Sequence, residues 1–172
     1  MKLSKLFEYQ TIPKEDIFIK REKSNCLEYI LLEGVCRSFV YNPEGEEITI
    51  GFYQGKTILA PHITRTINDK SLLNFQALTP LEIVFFDAHT FVNLMIDNLE
   101  IRNFGNTVLK NELLHKVEKE IGLASLTAKE RLLAFRKNFR MLENLVAHPP
   151  IASYLGVTNI SLSRIRGDLA RE

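Results

Sequence analysis

The spacing of apolar and polar residues divides this chain of 172 residues into two parts. Between residues 18 and 86 the apolar residues stand in short runs, rich in β-branched and aromatic side chains and bounded by turn residues, which predicts β-strands. From residue 88 onward they recur three to five positions apart, which predicts helices. We therefore expect an α+β protein with an N-terminal antiparallel β-roll (a double-stranded β-helix) followed by helices.

The predicted strands lie at residues 27–32, 35–41, 47–53, 72–78 and 81–86. The tetrad at 42–45 has Asn first, Pro second and Gly fourth, which suits a type I turn and predicts a hairpin. Residues 55–70 are polar and are predicted to be irregular. The first twenty residues are expected to be a short lead-in, in which Pro13 breaks any helix.

Two helices are predicted after the roll. Asp87 can cap a short helix over 88–97. Segment 98–121 carries a broad apolar face, and a long helix of this kind needs to be covered both by its own roll and by a second copy of itself. A helix packed wholly within one subunit is the alternative. The predicted dimer interface comprises Ile101, Phe104, Val108 and Val117.

A pair of short helices is predicted near the C-terminus. Ile151 and Leu155 are four residues apart, and Gly156 can adopt the positive φ that a sharp turn between helices requires. A second apolar stripe at helical spacing then follows, formed by Leu162, Ile165 and Leu169. This arrangement predicts a helix-turn-helix.

Capping signals indicate where one domain ends and another begins. Thr127 and Glu130 have the spacing of a capping box, so a new helix is expected to start there. Any wing beside the helix-turn-helix is expected from segment 141–148. The predicted domains are a β-roll over 1–97, a dimerisation helix and hinge over 98–126, and a helix-turn-helix domain over 127–172.

The second short helix has an outward face that suits DNA. Arg164 can donate two hydrogen bonds to a guanine, whereas hydroxyl groups suit phosphate oxygens. An ordinary helical hairpin with a solvated arginine is the alternative. The predicted DNA-contacting residues are Thr158, Asn159, Ile160, Ser161, Ser163 and Arg164.

The formal charge of +1 conceals an asymmetry. Residues 1–97 contain 10 basic and 13 acidic side chains, whereas residues 127–172 contain 8 basic and 4 acidic ones. The basic excess therefore lies with the helix-turn-helix, as expected if only that module neutralises phosphates.

Two cysteines, Cys26 and Cys36, are too few for a disulfide framework or for an iron–sulfur cluster within one chain. Both are expected to be reduced, and a redox role for either is left open. No apolar run approaches the ~20 residues of a membrane span, and the N-terminus lacks a signal-peptide core. A cytoplasmic protein without membrane contacts is expected.

The stretch IASYLGVT followed by LSRIR resembles the helix-turn-helix of the Crp/Fnr family of bacterial transcription regulators. Upstream, YILLEGVCRSFVYNPEGEEITIGFY resembles the cyclic-nucleotide-binding-like sensor domain of that family. The resemblance implies a winged-type helix-turn-helix, a homodimer on a palindromic operator in double-stranded DNA, and RNA polymerase as a partner. The family usually has Glu and then Thr early in its recognition helix, where this chain has Ile160 and Ser161, so the usual half-site need not carry over.

Cyclic-nucleotide-binding members of the family carry Gly-Glu-Leu and Arg-Ser/Thr-Ala in the loop of the roll. The corresponding segment here, GKTILAPHITRTINDKSLL, has neither motif. We therefore expect no binding of cyclic AMP and an effector, if one exists, of another kind. The candidates for contacts with an anionic effector are Arg65, Lys70 and Ser71, and the alternative is that the two cations are merely solvated loop residues.

The β-roll also resembles metal-dependent cupin enzymes, which use a His-x-His pair and a third histidine. The four histidines here are at least 26 positions apart, and two lie outside the roll. No metal site, cofactor or catalytic activity is therefore predicted. The alternative function is a small-molecule-binding or protein-interaction module that has lost DNA binding.

Overall fold

The computed structural model describes residues 6–171. The strands are β1 (Glu8–Ile12), β2 (Ile17–Ile19), β3 (Leu27–Glu33), β4 (Val35–Tyr41), β5 (Glu47–Gln54), β6 (Thr57–Leu59), β7 (Thr66–Ile67), β8 (Lys70–Ser71), β9 (Asn74–Ala77) and β10 (Leu81–Asp87). The helices are α1 (His62–Arg65), α2 (Ala88–Asp97), α3 (Leu99–Ser125), α4 (Ala128–Asn138), α5 (Leu142–Leu145), α6 (His148–Tyr154) and α7 (Asn159–Leu169).

Two four-stranded antiparallel sheets form the predicted β-roll. Their strand orders are β1–β10–β3–β6 and β2–β9–β4–β5. The consecutive strands β3 and β4 belong to different sheets, and so do β9 and β10. The side chains between the sheets form one apolar core that includes Ile12, Ile19, Tyr29, Leu31, Cys36, Leu59, Phe75, Leu81 and Ile83.

The chain passes from one sheet to the other at Gly34, where φ is +99°. A Cβ atom at this position would lie 2.4 Å from the carbonyl oxygen of Pro80, which is in the second crossover. Only glycine satisfies both the backbone conformation and the close approach.

The predicted hairpin at 42–45 is confirmed, because the Gly45 amide donates to the Asn42 carbonyl at 3.0 Å and β4 pairs with β5. The segment 55–70 was predicted to be irregular, and this prediction is wrong. It contains β6, α1 and the start of the β7–β8 hairpin, whose turn residues Asn68 and Asp69 have positive φ. Two left-handed residues suit the tight turn of a two-residue hairpin.

Both helices predicted after the roll are present. The Asp87 carboxylate accepts a hydrogen bond from the Thr90 amide at 2.7 Å and caps α2, as predicted. Asn98 caps α3, which continues to Ser125 and is about 40 Å long. Among the described residues, no helix is both long and apolar enough to cross a membrane.

The C-terminal helices pack directly on the roll. Thr127 and Glu130 form the predicted capping box of α4. The ring of Phe52 in β5 lies 5.2 to 5.9 Å from the rings of Phe135, Phe139 and Tyr154. The roll and the C-terminal helices therefore share one apolar cluster, which includes Val35, Phe52, Leu78, Leu132, Phe135, Leu142, Ile151, Leu155 and Leu162.

The prediction that segment 141–148 supplies a wing is wrong. After Met141, at φ +66°, the chain forms the single-turn helix α5, and C-terminal to β10 the described residues contain no strand. Leu142 and Val146 are four residues apart and both pack in the shared apolar cluster, which favours a helical turn over an extended strand.

Candidate functional site

The two helices and the turn of the predicted helix-turn-helix are present. Helix α6 ends at Tyr154, and Gly156, at φ +65°, reverses the chain before α7. The Thr158 hydroxyl caps α7 by accepting a hydrogen bond from the Ser161 amide at 3.1 Å. Leu162, which is 1% exposed, fixes the inner face of α7 in the shared cluster.

The outer face of α7 is exposed at its N-terminal end. Of the six residues predicted to contact DNA, five are exposed, and Ser161 is half-buried. Ile160 is 67% exposed, which is unusual for an isoleucine. Within residues 6–171, the Arg164 guanidinium makes no hydrogen bond or ion pair.

Arg166, two residues further along α7, has a different environment. Its Nε lies 3.0 Å from a Glu143 oxygen, and the same carboxylate lies 2.5 Å from Nε of Arg136. Arg166 therefore holds α7 to α5 and α4, whereas Arg164 is available for a ligand.

Helix α6 is attached to the edge of the roll through β5. The Ser153 hydroxyl accepts a hydrogen bond from the Thr49 amide at 2.8 Å and donates one to the Glu47 carbonyl at 3.0 Å. Sequence reasoning missed Ser153, because a serine in an amphipathic helix gives no signal of a distant strand.

Lys119 joins α3 to the same place. Its ammonium group donates to the carbonyls of Thr49 and Ile50 at 3.2 and 2.7 Å and lies 4.1 Å from the centre of the Tyr154 ring. Burial, with a smaller effect of Lys116, lowers the pKa of Lys119 to about 8. The long helix, the roll and the helix-turn-helix therefore meet at one half-buried lysine, which sequence reasoning also missed.

The four predicted interface residues do not all lie on the same side of α3. Ile101 and Val108 are half-buried on the side that faces the chain's own roll, whereas Phe104 and Val117 are 52% and 41% exposed. The prediction had placed all four on one face, and helix geometry divides them. On the side opposite to the roll, α3 exposes the apolar residues Leu99, Leu113, Leu114, Val117 and Ile121.

The predicted effector residues do not converge on one site. Arg65 is fully buried inside the roll, so its interpretation as a solvated loop cation is wrong. Its guanidinium donates to the Asn25 side-chain oxygen at 2.9 Å and to the Leu27 carbonyl. Ser71 is buried and donates to the Leu73 carbonyl at 2.7 Å, whereas Lys70 points to solvent.

Aromatic rings fill the rest of the roll interior beside Arg65. The guanidinium carbon lies 5.4 Å from the centre of the Tyr29 ring. The rings of Phe18 and Tyr29 are 6.1 Å apart, and those of Tyr53 and Phe75 are 5.7 Å apart. Burial strongly raises the pKa of the Tyr53 hydroxyl, which stays neutral. The space between the two sheets is therefore occupied by the protein's own side chains.

Residues 10–98 match the sequence profile of the cyclic nucleotide-binding domain. The chain belongs to this family. The architecture also matches FixK2 from Bradyrhizobium japonicum, with a TM-score of 0.83, 16% identity, and coverage of 96% of this chain and 85% of FixK2. No curated protein matches the chain by sequence.

Two further structures show the same fold. A CooA variant from Carboxydothermus hydrogenoformans has a TM-score of 0.76 and 21% identity, over 96% of this chain and 77% of CooA. A protein from Eubacterium rectale, described as a transcriptional regulator of the Crp/Fnr family, has a TM-score of 0.74 and 18% identity, over 95% and 78% of the two chains. The Crp/Fnr resemblance is confirmed at the level of the fold, and one of the proteins that share this fold is described as a transcriptional regulator.

This cyclic nucleotide-binding domain carries a groove on the outside of the roll. A cavity of about 370 Å³ lies between one sheet and the helices α2 and α3, and its walls are mostly apolar. Glu28, whose pKa is raised by burial, accepts a hydrogen bond from the His62 amide at 3.0 Å beside this cavity. The principal lining residues are Ile30, Ile58, His62, Phe86, Met95 and Val108.

One cluster of metal-ligand side chains lies beside the groove. The fold brings ligand atoms of Cys26, His62 and Asp69 within 4.8 Å of one another. The prediction that no metal site exists rested on the separation of the histidines along the sequence. Cysteine and aspartate from distant segments can join one histidine in a mixed ligand set, which the separation of the histidines does not test.

Proposed function

We propose that this protein is a homodimeric, DNA-binding transcription regulator of the Crp/Fnr type. The observation that carries the proposal is the outer face of α7, on a helix anchored by Leu162. There Arg164, which makes no ion pair with any residue between 6 and 171, stands among exposed residues. The basic excess over residues 127–172 supports the same conclusion, since phosphate contacts need positive charge.

Arg164 is proposed to read a guanine through its O6 and N7 atoms, and Ile160 to contact a thymine methyl group. Asn159 stands beside them at the start of α7 and can reach a base edge or a phosphate. Ser163 is proposed to bind phosphate. The hydroxyls of Thr158 and Ser161 are 3.0 Å apart, so they contribute to DNA binding mainly by holding the start of the helix in place.

The exposed apolar side of α3 is the proposed dimer interface, with Val117 near its centre. In a symmetric dimer the two α7 helices are expected to lie ~34 Å apart and to bind a palindromic operator. A regulator that activates transcription is further proposed to contact RNA polymerase.

A binding selection from random double-stranded DNA, with the wild type and the Arg164→Ala variant, tests the proposal. We expect a palindromic consensus, and a loss of ~1–3 kcal/mol at one base pair per half-site in the variant. Arg171→Ala is the matched control, because Arg171 is exposed beyond the end of α7. Absence of salt-dependent DNA binding would favour the alternative of an interaction module. An equal loss for every sequence would make Arg164 a phosphate contact instead.

The groove is the proposed site of a small-molecule effector other than cyclic AMP. Arg65 and the aromatic rings occupy the interior of the roll, and the nucleotide-binding motifs are missing. Calorimetry with cyclic AMP and cyclic GMP is therefore expected to give no heat of binding. A micromolar dissociation constant for either nucleotide would contradict this part of the proposal.

A further inference from the structure

Four side chains that bind metals in other proteins meet at one end of the roll. Cys26 precedes β3, His62 begins α1, Asp69 lies in the turn of the β7–β8 hairpin, and His89 lies in the first turn of α2. The Asp69 carboxylate oxygen Oδ1 is 3.4 Å from Nε2 of His62 and 3.7 Å from Nε2 of His89. The Cys26 sulfur completes a triad with His62 and Asp69, all within 4.8 Å.

The distances from Asp69 to the two histidines fit a tetrahedral ion, whereas His89 lies outside the close group of Cys26, His62 and Asp69 and must move to join it. Ligand bonds of about 2.0–2.3 Å set neighbouring ligand atoms roughly 3.3–3.8 Å apart. Both distances from Asp69 fall within this range, and the cysteine sulfur needs a shift of about 1 Å at most, which a side-chain rotation supplies. His89 has a side chain that is 63% exposed, so it can turn toward the ion without disturbing the core.

The backbone holds the ligand-bearing segments together before any ion binds. The Asn25 amide donates to the Asp69 carbonyl at 2.8 Å, and the Ala88 amide donates to the Cys26 carbonyl at 2.8 Å. Cys26 is therefore connected on one side to the segment of Asp69 and on the other to that of His89. The His62 amide is fixed independently by the Glu28 carboxylate, and such supporting contacts orient metal ligands.

We propose that Cys26, His62, Asp69 and His89 bind one divalent transition-metal ion of the zinc class. One thiolate, two imidazoles and one carboxylate form a borderline-soft ligand set that suits zinc, whereas Mg²⁺ and Ca²⁺ require oxygen ligands. The thiolate and the carboxylate together balance the charge of the ion. The bound ion ties α1, the β7–β8 hairpin and the start of α2 to the roll, next to the groove that His62 also lines. This inference is independent of the proposed DNA binding.

Titration of the purified, chelator-treated full chain with Co²⁺, followed by displacement with Zn²⁺, tests the site. Co²⁺ is the probe because its spectrum reports both tetrahedral geometry and a sulfur ligand. We expect one equivalent to give intense visible bands and a thiolate-to-cobalt band, both abolished by Zn²⁺. Cys36 is fully buried in the roll core, so the sulfur signal belongs to Cys26.

Three substitutions assign the ligands. Cys26→Ser is expected to abolish the sulfur band, and His62→Gln to weaken the affinity for Co²⁺ about 100-fold or more, since loss of a supporting contact alone costs 10–100-fold. His89→Gln removes an exposed side chain, so it keeps the fold even if substitutions of the half-buried Cys26 and His62 do not. It is expected to weaken binding at least about tenfold.

His115→Gln is the matched control, because His115 is exposed on α3 and is remote in sequence from the cluster. It is expected to bind Co²⁺ like the wild type. The proposal is overturned if no sulfur band forms, if the band survives in Cys26→Ser, or if His115→Gln weakens binding as much as His89→Gln.

Discussion

One side of α3 packs a charged residue against the roll, and the opposite side exposes large apolar residues. The side toward the roll carries Gly105, Val108 and the half-buried Lys119. The opposite side exposes Leu114, which is 48% accessible, and Ile121, which is 57% accessible. A half-buried lysine therefore packs against the roll while large apolar side chains face outward. Lys119 tolerates this position because two carbonyls accept its hydrogen bonds. Its aliphatic chain can pack against apolar surface while the ammonium group makes these polar contacts.

The comparison shows that a helix with apolar residues on both sides needs two partners. Its own roll covers one side, and the exposed side is the interface proposed above for a second copy of the helix. The following predictions test the distinction between the two sides, beginning with the largest expected effect.

Val117→Glu is expected to convert the proposed dimer into monomers. A carboxylate without a partner in the interface costs about 3–5 kcal/mol, and a symmetric dimer contains it twice. Because Val117 is 41% exposed within one chain, the fold of the monomer is expected to survive. Sedimentation velocity together with circular dichroism measures both effects.

Val108→Glu is the matched change on the other side. Val108 lines the groove against the chain's own roll, so the new carboxylate is expected to lower the free energy of unfolding by about 1–3 kcal/mol and to leave association unchanged. Loss of the dimer in Val108→Glu but not in Val117→Glu would exchange the roles of the two sides.

Lys119→Met is expected to change how stability depends on pH. The pKa of Lys119 is about 8 in the folded chain and near its ordinary value of 10.5 in the unfolded chain. Between these values the unfolded chain binds more protons, so the wild-type contribution to stability rises with pH. Between pH 7 and 9.5 the free energy of unfolding of the wild type is expected to rise by about 1–2 kcal/mol relative to that of Lys119→Met.

Urea unfolding of the wild type and Lys119→Met at both pH values measures this gain, and the comparison cancels the titration of the other groups. A constant difference between the two proteins would show that the pKa of Lys119 is not lowered. Lys110→Met is the control, because Lys110 is exposed on the same helix.

The smallest expected effect is on thermal stability and concerns two glycines of α3, Gly105 and Gly122. Gly122→Ala is expected to stabilise the fold by about 0.5–1 kcal/mol, because the nearest atom outside the local helix backbone, Cδ1 of Leu126, would lie 3.9 Å from the new Cβ. At Gly105 the new Cβ would lie 2.6 Å from the end of Met95, so Gly105→Ala is expected to show no such gain. Thermal unfolding measures both. Equal stabilisation would mean that the roll-facing side is loosely packed.

Local features of the fold could be predicted from the sequence. The turn at 42–45, the caps at Asp87 and Thr127, and the reversal at Gly156 all depend on interactions within about four residues. The outer face of α7 was predictable for the same reason, since helical periodicity alone places Arg164 opposite Leu162.

Contacts between distant segments were decided only by the tertiary structure. Ser153 and Thr49 are 104 positions apart, and nothing in the local sequence pairs them. The same holds for the burial of Arg65 and for the approach of Cys26, His62 and Asp69. Periodicity likewise predicted a long helix but not which side would meet the roll, because apolar residues occupy both sides. Local sequence specifies turns and helices, whereas burial and ligand geometry depend on how the whole chain packs.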